Sequence, residues 1–256
     1  MSDRTLAIVL LAGGKGTRMQ DGELPKMLVS FRGKPLMTWA LDSIAASGLG
    51  VQPLVVVGHA AAHVRAQLGD AYATVMQEEQ RGTGHAVKAA RSALKDKSDD
   101  VFVLYGDHPL LSGATIRRIV DTHQTGNAVI TMATVSVPNF DEWRRPFADF
   151  GRIVRDAQGR VVKNVETFQA KPHEITITEV NPSFYCFRAS WLWSHLDLLS
   201  DSNAKQEFLL TDLVSIAIAQ GYALQTVPLA DPREALGVNT LDQLRSTESI
   251  IPSIGA

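Results

Sequence analysis

The chain has 256 residues, of which 45% are hydrophobic and 20% are charged. This length suits one large α/β domain or two small ones, and the apolar fraction allows a sizeable core. A formal net charge of −2 provides no basic field for nucleic acid or an anionic membrane, so any site for an anion must be local.

The cysteine content and the first residues bear on where the protein works. One cysteine, Cys186, cannot form an intramolecular disulfide, which fits a reducing compartment. No apolar run approaches the roughly 18 residues of a membrane span. The apolar stretch at 6–11 runs into glycines without a cleavage site, and Asp3 does not suit a signal peptide. We expect a cytoplasmic protein without membrane or nucleic-acid partners; its oligomeric state stays open.

Buried strands alternate with helical patterns in the first half of the chain. Continuous apolar runs predict strands at 6–11, 53–58 and 101–107. Helical patterns cover 35–48, 60–69, 83–95 and 113–124. This alternation predicts an α/β fold with a doubly wound, mostly parallel sheet.

The second half changes character. A hairpin is predicted over 151–166, and 174–180 alternates like a half-exposed strand that 183–187 continues. Further helices are predicted within 189–200 and 207–221, and a last strand at 223–229. We therefore expect a single domain over residues 1–256, with a small β lobe at about 138–188 over one end of the sheet.

The first turn of the chain, "LLAGGKGTRM" at residues 10–19, carries three glycines and two cations. Glycine lets the backbone approach a ligand closely, and the cations favour an anion, so a phosphate site competes with a plain solvated turn. Lys15 is followed by Gly16, which excludes an ordinary P-loop, and the glycine spacing is not G-x-G-x-x-G. Ligands of open α/β sheets bind beyond the carboxyl ends of the strands, where "YGD" and "LGVN" also fall.

Eight short motifs follow one another in a characteristic order: "GGKGTR", "LPK", "QEEQRGTGHA", "YGDHPLL", "FGRI", "NVE", "NAKQEFLLTD" and "LGVN". Their order and spacing resemble those of sugar-phosphate nucleotidyltransferases, in particular the bacterial UDP-N-acetylglucosamine pyrophosphorylases. The resemblance implies a Rossmann-like nucleotide-diphospho-sugar transferase fold. It also implies transfer of a uridylyl group from UTP to a sugar 1-phosphate, here N-acetylglucosamine 1-phosphate, with Mg²⁺ as cofactor and release of pyrophosphate.

The same resemblance assigns roles to residues of this chain. Catalysis falls to two cations, Arg18 and Lys26. Nucleotide binding falls to the glycine loop and to residues farther along, namely Leu11, Ala12, Gly13, Gly14, Lys15, Gly16, Gln77, Gly82 and Thr83. Sugar binding falls to Tyr105, Gly106, Gly151, Glu166, Asn181 and Thr211. The metal ligands are Asp107 and Asn239.

Several of these residues also have an ordinary structural interpretation. Asp107 could equally be a helix cap or a turn residue, and Asn239 could cap the helix that follows it. Gln77 could be a solvated loop residue, although its amide offers the donor and acceptor that a uracil edge requires.

The histidines do not indicate a zinc site. His59, His63, His85, His108 and His123 are scattered, and although the first two lie four residues apart, no third ligand is evident. We expect surface or capping roles for them. The tryptophans are not interleaved with basic residues, so single-stranded nucleic acid is not indicated.

The chain departs from the family pattern on the sugar side. Where the family has Asn-Thr-Gly, this chain has Asn181-Pro182-Ser183; Glu166 is followed by "TFQAK", and the aromatic pair before "TD" loses its tyrosine. No hexapeptide repeat resembling the acetyltransferase part of the bifunctional enzymes is found, so a stand-alone enzyme is expected. Alternatives are uridylyl or thymidylyl transfer to glucose 1-phosphate or another hexose phosphate, cytidylyl transfer, and a non-catalytic nucleotide-sugar sensor.

Overall fold

A computed structural model describes residues 4–14, 16 and 25–251. Its strands are β1 (Leu6–Ala12), β2 (Ser30–Phe31), β3 (Lys34–Pro35), β4 (Leu54–Val57), β5 (Thr74–Met76), β6 (Asp100–Tyr105), β7 (Ile130–Ser136), β8 (Gly151–Arg155), β9 (Val161–Val165), β10 (Glu179–Asn181), β11 (Tyr185–Arg188) and β12 (Gln225–Pro228). Its α-helices are α1 (Leu36–Ala46), α2 (Ala61–Leu68), α3 (Thr83–Ala89), α4 (Arg91–Leu94), α5 (Gly113–Thr125), α6 (Pro172–Ile175), α7 (Ala189–His195), α8 (Asp212–Ala219) and α9 (Leu241–Ser249).

Ten of these strands form one sheet in the order β5-β4-β1-β6-β11-β7-β10-β8-β9, with β12 also paired to β7. The pairs β4–β5, β1–β4, β1–β6 and β7–β12 are parallel. β11 runs antiparallel between β6 and β7, while β10, β8 and β9 extend the sheet in antiparallel pairs. The predicted α/β fold with a mostly parallel central sheet is confirmed. The antiparallel strands β8, β9 and β10 fall within residues 138–188, the range predicted for a β lobe.

Both faces of the sheet are covered by helices. Along β1, Ile8 and Leu10 pack with α1 and α5, whereas Val9 and Leu11 pack on the opposite face with α3, α7 and α8. A strand buried on both faces must be apolar throughout, which explains the uninterrupted run at the start of the chain. None of the helices in the described part of the chain has the length and apolarity needed to cross a bilayer.

Some predicted elements differ in the structure. The half-exposed strand expected at 174–180 is a strand only over Glu179–Asn181. Residues Pro172–Ile175 before it form α6 instead. The Glu174 carboxylate stabilises this helix, because it accepts a hydrogen bond from the Lys171 backbone N–H at 2.8 Å and forms an ion pair with Lys163 at 2.6 Å. The helix predicted over 83–95 breaks at Ala90, and the one predicted from residue 207 begins only at Asp212.

Four strands were not predicted: the two-residue strands β2 and β3, and the sheet strands β5 and β7. β7 occupies a central place, since it pairs with β10, β11 and β12. The last strand of the predicted lobe, β11, lies between β6 and β7 and thus belongs to the central sheet.

Candidate active site

Three loops at the carboxyl ends of the sheet strands meet in the structure. They follow β1, β6 and β12. A backbone hydrogen bond of 2.9 Å from the Val238 N–H to the Asp107 carbonyl joins the loops after β6 and β12. The sequence placed these loops at one site because parallel strands direct their carboxyl ends to the same edge. Their side chains complete the connection through Lys26.

Lys26 begins a short 3-10 turn, Lys26–Leu28, directly after Pro25. Its side chain is only 8% exposed, although the residue is a lysine in a loop. The buried ammonium donates hydrogen bonds to Asp107 Oδ2 and, at 2.5 Å, to Asn239 Oδ1. A carboxylate oxygen and a carboxamide oxygen therefore converge on a single cation.

The glycine loop is shaped by this lysine. Gly16 has a φ of +60°, which residues with a side chain rarely adopt. A Cβ at Gly16 would lie 2.5 Å from the Cβ of Lys26, so no larger residue fits there. Gly14, in contrast, has no neighbour within 4 Å of such a Cβ and faces open space.

The electrostatics at Asp107 favour the ionised carboxylate. Burial by itself would raise its pKa, but the Lys26 ammonium and the adjoining His108 ring hold the pKa well below its usual range. His108 Nδ1 lies 2.9 Å from Asp107 Oδ1, so both carboxylate oxygens are engaged. The site thus keeps a fixed negative charge at neutral pH.

The alternative capping roles fall to other residues. Thr240 caps α9, accepting the Gln243 N–H at 3.1 Å, which leaves the Asn239 carboxamide directed to Lys26. Ser112 caps α5 in the same way, accepting the Thr115 N–H at 3.2 Å. Asp107 and Asn239 are thus not needed as helix caps.

Gln77 lies at the other end of the site and is buried, not solvated. Its Nε2 donates to the Gly82 carbonyl at 3.2 Å, and its Oε1 lies beside Gly13, where a Cβ would be 2.9 Å away. Gly82 has a φ of +106° and would clash with the Phe208 carbonyl if it carried a Cβ. The next residue, Thr83, accepts the Leu210 N–H at 2.9 Å through its hydroxyl.

These groups surround one cavity of about 570 Å³, a size typical of small-molecule sites. Most of its lining comes from the predicted site residues, namely Leu11, Gly13, Gly14, Gly16, Lys26, Gln77, Gly82, Thr83, Tyr105, Asp107 and Asn239. Four further lining residues were not predicted: Met27, Gln80, Ala86 and Glu207. Ala12 and Gly106 adjoin the cavity in sequence without lining it.

Of the residues predicted to bind the sugar, Tyr105 at the end of β6 lines this cavity, whereas Gly106, Gly151, Glu166, Asn181 and Thr211 do not. Asn181 is buried, donating to Tyr185 Oη at 2.5 Å and to Asn164 Oδ1 at 3.1 Å. Gly151 adjoins the same Asn164, whose Oδ1 lies 3.0 Å from the position of a Cβ on that glycine. These residues form a buried polar network at the base of the lobe.

Ser183 links this network to the cavity. Its N–H donates to Asn181 Oδ1 at 2.8 Å, and its side chain interacts with the phenols of Tyr105 and Tyr185. Ser183 has a φ of +66°, at the position where the family pattern has glycine. Burial raises the pKa of the Tyr105 phenol above its usual value, with a contribution from the Asp107 charge, so the phenol stays protonated.

Two carboxylates, Glu166 and Asp212, influence each other near the lobe. Burial and the charge of Glu166 raise the pKa of Asp212 to about 6. Asp212 directly follows Thr211, whose Oγ1 is buried and has no hydrogen-bond partner within the part of the chain that the structure describes. A buried hydroxyl of this kind is available to a ligand. Asp212 was missed from the sequence, although its place in the "TD" motif marks it.

Two predicted residues, Lys15 and Arg18, lie outside the described residues. Across residues 4–14, 16 and 25–251, no group of three His, Cys, Asp or Glu side chains is placed so that it could hold a metal ion. The expected surface or capping roles are wrong for two of the histidines. His123 is fully buried between Asp100 and Thr131, and His108 is buried beside Asp107.

A doubly wound sheet whose loops gather a glycine turn, a buried lysine and a carboxylate around one cavity defines a nucleotidyltransferase. The chain belongs to the MobA-like NTP transferase family, whose profile matches residues 8–212.

Curated relatives extend the similarity over nearly the whole chain. The bifunctional protein GlmU of Trichlorobacter lovleyi is 40% identical over 247 residues, which is 96% of this chain and 52% of that protein. GlmU of Pelobacter propionicus is 39% identical over 249 residues, again 96% of this chain and 52% of the relative. GlmU of Desulfotalea psychrophila is 37% identical over 244 residues, or 94% of this chain and 69% of the relative. The chain spans about half the length of the first two relatives.

Proposed function

We propose that the protein transfers the uridylyl group of UTP to N-acetylglucosamine 1-phosphate, giving UDP-N-acetylglucosamine and pyrophosphate. The observation that carries this proposal is the convergence of Lys26, Asp107 and Asn239 at a cavity whose opposite end holds Gln77 and Gly82. The motif order supports the choice of uridylyl group and sugar.

The reaction is an in-line displacement at phosphorus. An oxygen of the sugar 1-phosphate attacks the α-phosphorus of UTP, and the bond to the bridging oxygen of the β-phosphate breaks, with its electron pair leaving on pyrophosphate. Positioning and charge neutralisation carry most catalysis of this kind. Lys26 supplies a buried cation for this purpose. Arg18 and Lys15, proposed from the motif alone, would hold the departing phosphates.

The donor set fits a magnesium ion. Asp107 Oδ2 and Asn239 Oδ1 converge on one point, and Mg²⁺ prefers a small number of protein oxygens together with phosphate oxygens and water. When bound, the ion supplies positive charge to the phosphates. Asp107 is the stronger proposed ligand because its pKa is held low and it stays ionised.

The nucleotide is proposed to lie along the glycine loop, with its base toward Gln77. Gly13, Gly14 and Gly16, with Leu11 and Ala12 at the end of β1, allow backbone amides to approach the phosphates. Gln77 is oriented by its bond to the Gly82 carbonyl, which leaves its Oε1 to accept the N3–H of uracil. Gly82 and Thr83 complete the nucleotide end.

The sugar is proposed to lie between the cavity and the lobe. Glu166 accepts hydrogen bonds from sugar hydroxyls, and the Thr211 hydroxyl, which has no partner among the described residues, donates to the substrate. Asn181 and Gly151 support the sugar side from the buried network around Asn164. Tyr105 and Gly106 end β6 between the nucleotide and sugar sides.

One observation supports glucose 1-phosphate as an alternative acceptor. Pro182 has no N–H to offer, and Ser183 takes the glycine position in a left-handed conformation. Contacts that select the N-acetyl group should therefore be fewer, which makes glucose 1-phosphate the alternative acceptor. We further propose that one domain with its lobe at about 138–188 carries the activity, with small molecules as its substrates, in the cytoplasm.

The test is pyrophosphate release by the purified chain with magnesium, across four nucleoside triphosphates and a panel of sugar 1-phosphates. UTP with N-acetylglucosamine 1-phosphate is expected to be the fastest pair, with the UDP-sugar identified by mass. A faster reaction with another triphosphate would reject the uridylyl assignment. No pyrophosphate from any pair would favour a nucleotide-sugar sensor.

A further inference from the structure

We propose that the Lys26 ammonium and a divalent cation compete for the same two oxygens, Asp107 Oδ2 and Asn239 Oδ1. A metal ion then binds firmly only when nucleotide phosphates draw the ammonium away. The inference rests on the metal site of the proposed function and extends it to the order in which that site is filled.

Competition follows from the geometry. Lys26 Nζ lies 2.5 Å from Asn239 Oδ1 and also donates to Asp107 Oδ2. A magnesium ion bound by the same oxygens would stand about 2.1 Å from each. The ammonium and the ion would therefore occupy nearly the same volume, and like charges at such a separation repel strongly.

The backbone of Lys26 is held in place, so only the end of its side chain can move. The Leu28 N–H donates to the Pro25 carbonyl at 2.8 Å, and the Val29 N–H donates to the Lys26 carbonyl at 3.2 Å. Gly16 packs against the Lys26 Cβ. Displacement of the ammonium thus means rotation of the outer carbons into the cavity, which Lys26 lines together with the glycine loop.

Charge explains why the nucleotide is required. Among the described residues, Asp107 is the one carboxylate paired with Lys26. An ammonium that left it without a new partner would be buried and uncompensated, which is strongly unfavourable. A triphosphate on the glycine loop supplies that partner. Metal and nucleotide therefore strengthen each other's binding, and by linkage the effect is reciprocal.

The experiment measures Mn²⁺ binding to the full chain without nucleotide, using the electron paramagnetic resonance signal of free Mn²⁺. The variant Lys26→Met keeps the length of the side chain and removes its charge. It is expected to bind Mn²⁺ at least about tenfold more tightly than the unmodified chain, within the range usual for coupled sites. Lys34→Met, which removes an exposed ammonium paired with Asp42, should leave Mn²⁺ binding unchanged.

The double variant Lys26→Met, Asp107→Asn locates the ion. It should bind Mn²⁺ more weakly than Lys26→Met does, because the Asp107 carboxylate is needed for binding. The proposal is overturned if Lys26→Met binds Mn²⁺ no more tightly than the unmodified chain, if neither binds it at millimolar concentration, or if the gain persists in the double variant. Should Lys26→Met unfold, as judged by thermal melting, Lys26→Gln makes the same comparison.

These measurements use no nucleotide and no sugar phosphate. An incorrect choice of base or sugar in the proposed function would therefore leave the Mn²⁺ result unchanged, and the two proposals fail separately.

Discussion

Lys26 Nζ lies 2.5 Å from Asn239 Oδ1, although 213 residues separate the two in the chain. The same ammonium donates a hydrogen bond to Asp107, which lies two residues after the end of β6. The loops after β1, β6 and β12 are thus joined by one buried cation. Most of the following predictions concern the consequences of this contact.

Loss of the Lys26 charge should reduce turnover. We expect Lys26→Ala to lower kcat/KM by about a hundredfold or more, because charge neutralisation at a transferring phosphoryl group has effects of this order. The rate of pyrophosphate release by Lys26→Ala and by the unmodified chain measures this loss.

Stability should fall as well in this variant, because the buried Asp107 carboxylate would keep His108 as its one side-chain partner among the described residues. Lys34→Ala, at an exposed ammonium, is the matched control for both measurements. Near-normal turnover in Lys26→Ala would remove the residue from the catalytic site. Arg18→Ala is expected to lower turnover in the same way, on the evidence of its motif.

Activity should depend on a divalent ion. EDTA is expected to abolish pyrophosphate release while the circular dichroism spectrum stays unchanged, and Asp107→Asn should lower activity by about a hundredfold even at high magnesium. Asp42→Asn, at an exposed carboxylate, should retain activity. Full activity in metal-free buffer would contradict the roles of both Asp107 and Asn239.

Asp212 should destabilise the fold at neutral pH. Its pKa is raised to about 6 from an ordinary value of 3.8, so the folded state disfavours the ionised carboxylate. Below the unfolded pKa both states are protonated and no cost arises. The cost grows as pH rises between the two values and is complete above the folded pKa.

Asp212→Asn should therefore raise the free energy of unfolding at pH 8 by about 1 kcal/mol, a figure reduced because the side chain is partly screened by solvent. At pH 3.5 the two proteins should be equally stable. Urea denaturation at both pH values provides the measurement, with Asp42→Asn as the exposed control. A stability gain that is the same at both pH values would show that ionisation is not its cause.

The backbone at Ser183 should favour glycine. Ser183→Gly and Ser183→Ala both lose the hydroxyl, but only alanine keeps a Cβ at a φ of +66°. We expect the glycine variant to be more stable than the alanine variant by about 1 kcal/mol, the usual cost of a side chain in the left-handed region. Equal stabilities in chemical denaturation would mean that the turn relaxes to another conformation.

Sugar selectivity should be weak compared with relatives that have Asn-Thr-Gly. We expect kcat/KM to favour N-acetylglucosamine 1-phosphate over glucose 1-phosphate by less than about a thousandfold, or roughly 4 kcal/mol. Pro182→Thr combined with Ser183→Gly should increase the preference, because it returns a backbone N–H and a flexible glycine beside Asn181. A larger preference in the unmodified chain would show that other residues select the acetamide.

Local patterns in the sequence were sufficient for much of the fold. Apolar runs long enough to be buried on both faces identify β1, β4 and β6, and the motifs at their ends identify most residues that line the cavity. Patterns failed where neighbours in space decide the outcome. The residues before β10 alternate like a strand, yet they form α6. Glu174 stabilises this helix through a hydrogen bond from the Lys171 N–H and an ion pair with Lys163 of β9.

What the sequence by itself determined was which loops carry polar groups and which segments must be buried, since hydrophobic periodicity and helix caps are local properties. Only the tertiary structure decided what those polar groups do. Asn239 is free to contact Lys26 because Thr240 takes the cap, and Lys26 is buried because β1, β6 and β12 bring their carboxyl ends together. Such contacts depend on packing between segments that are distant in sequence, and hydrophobic periodicity and helix caps do not specify that packing.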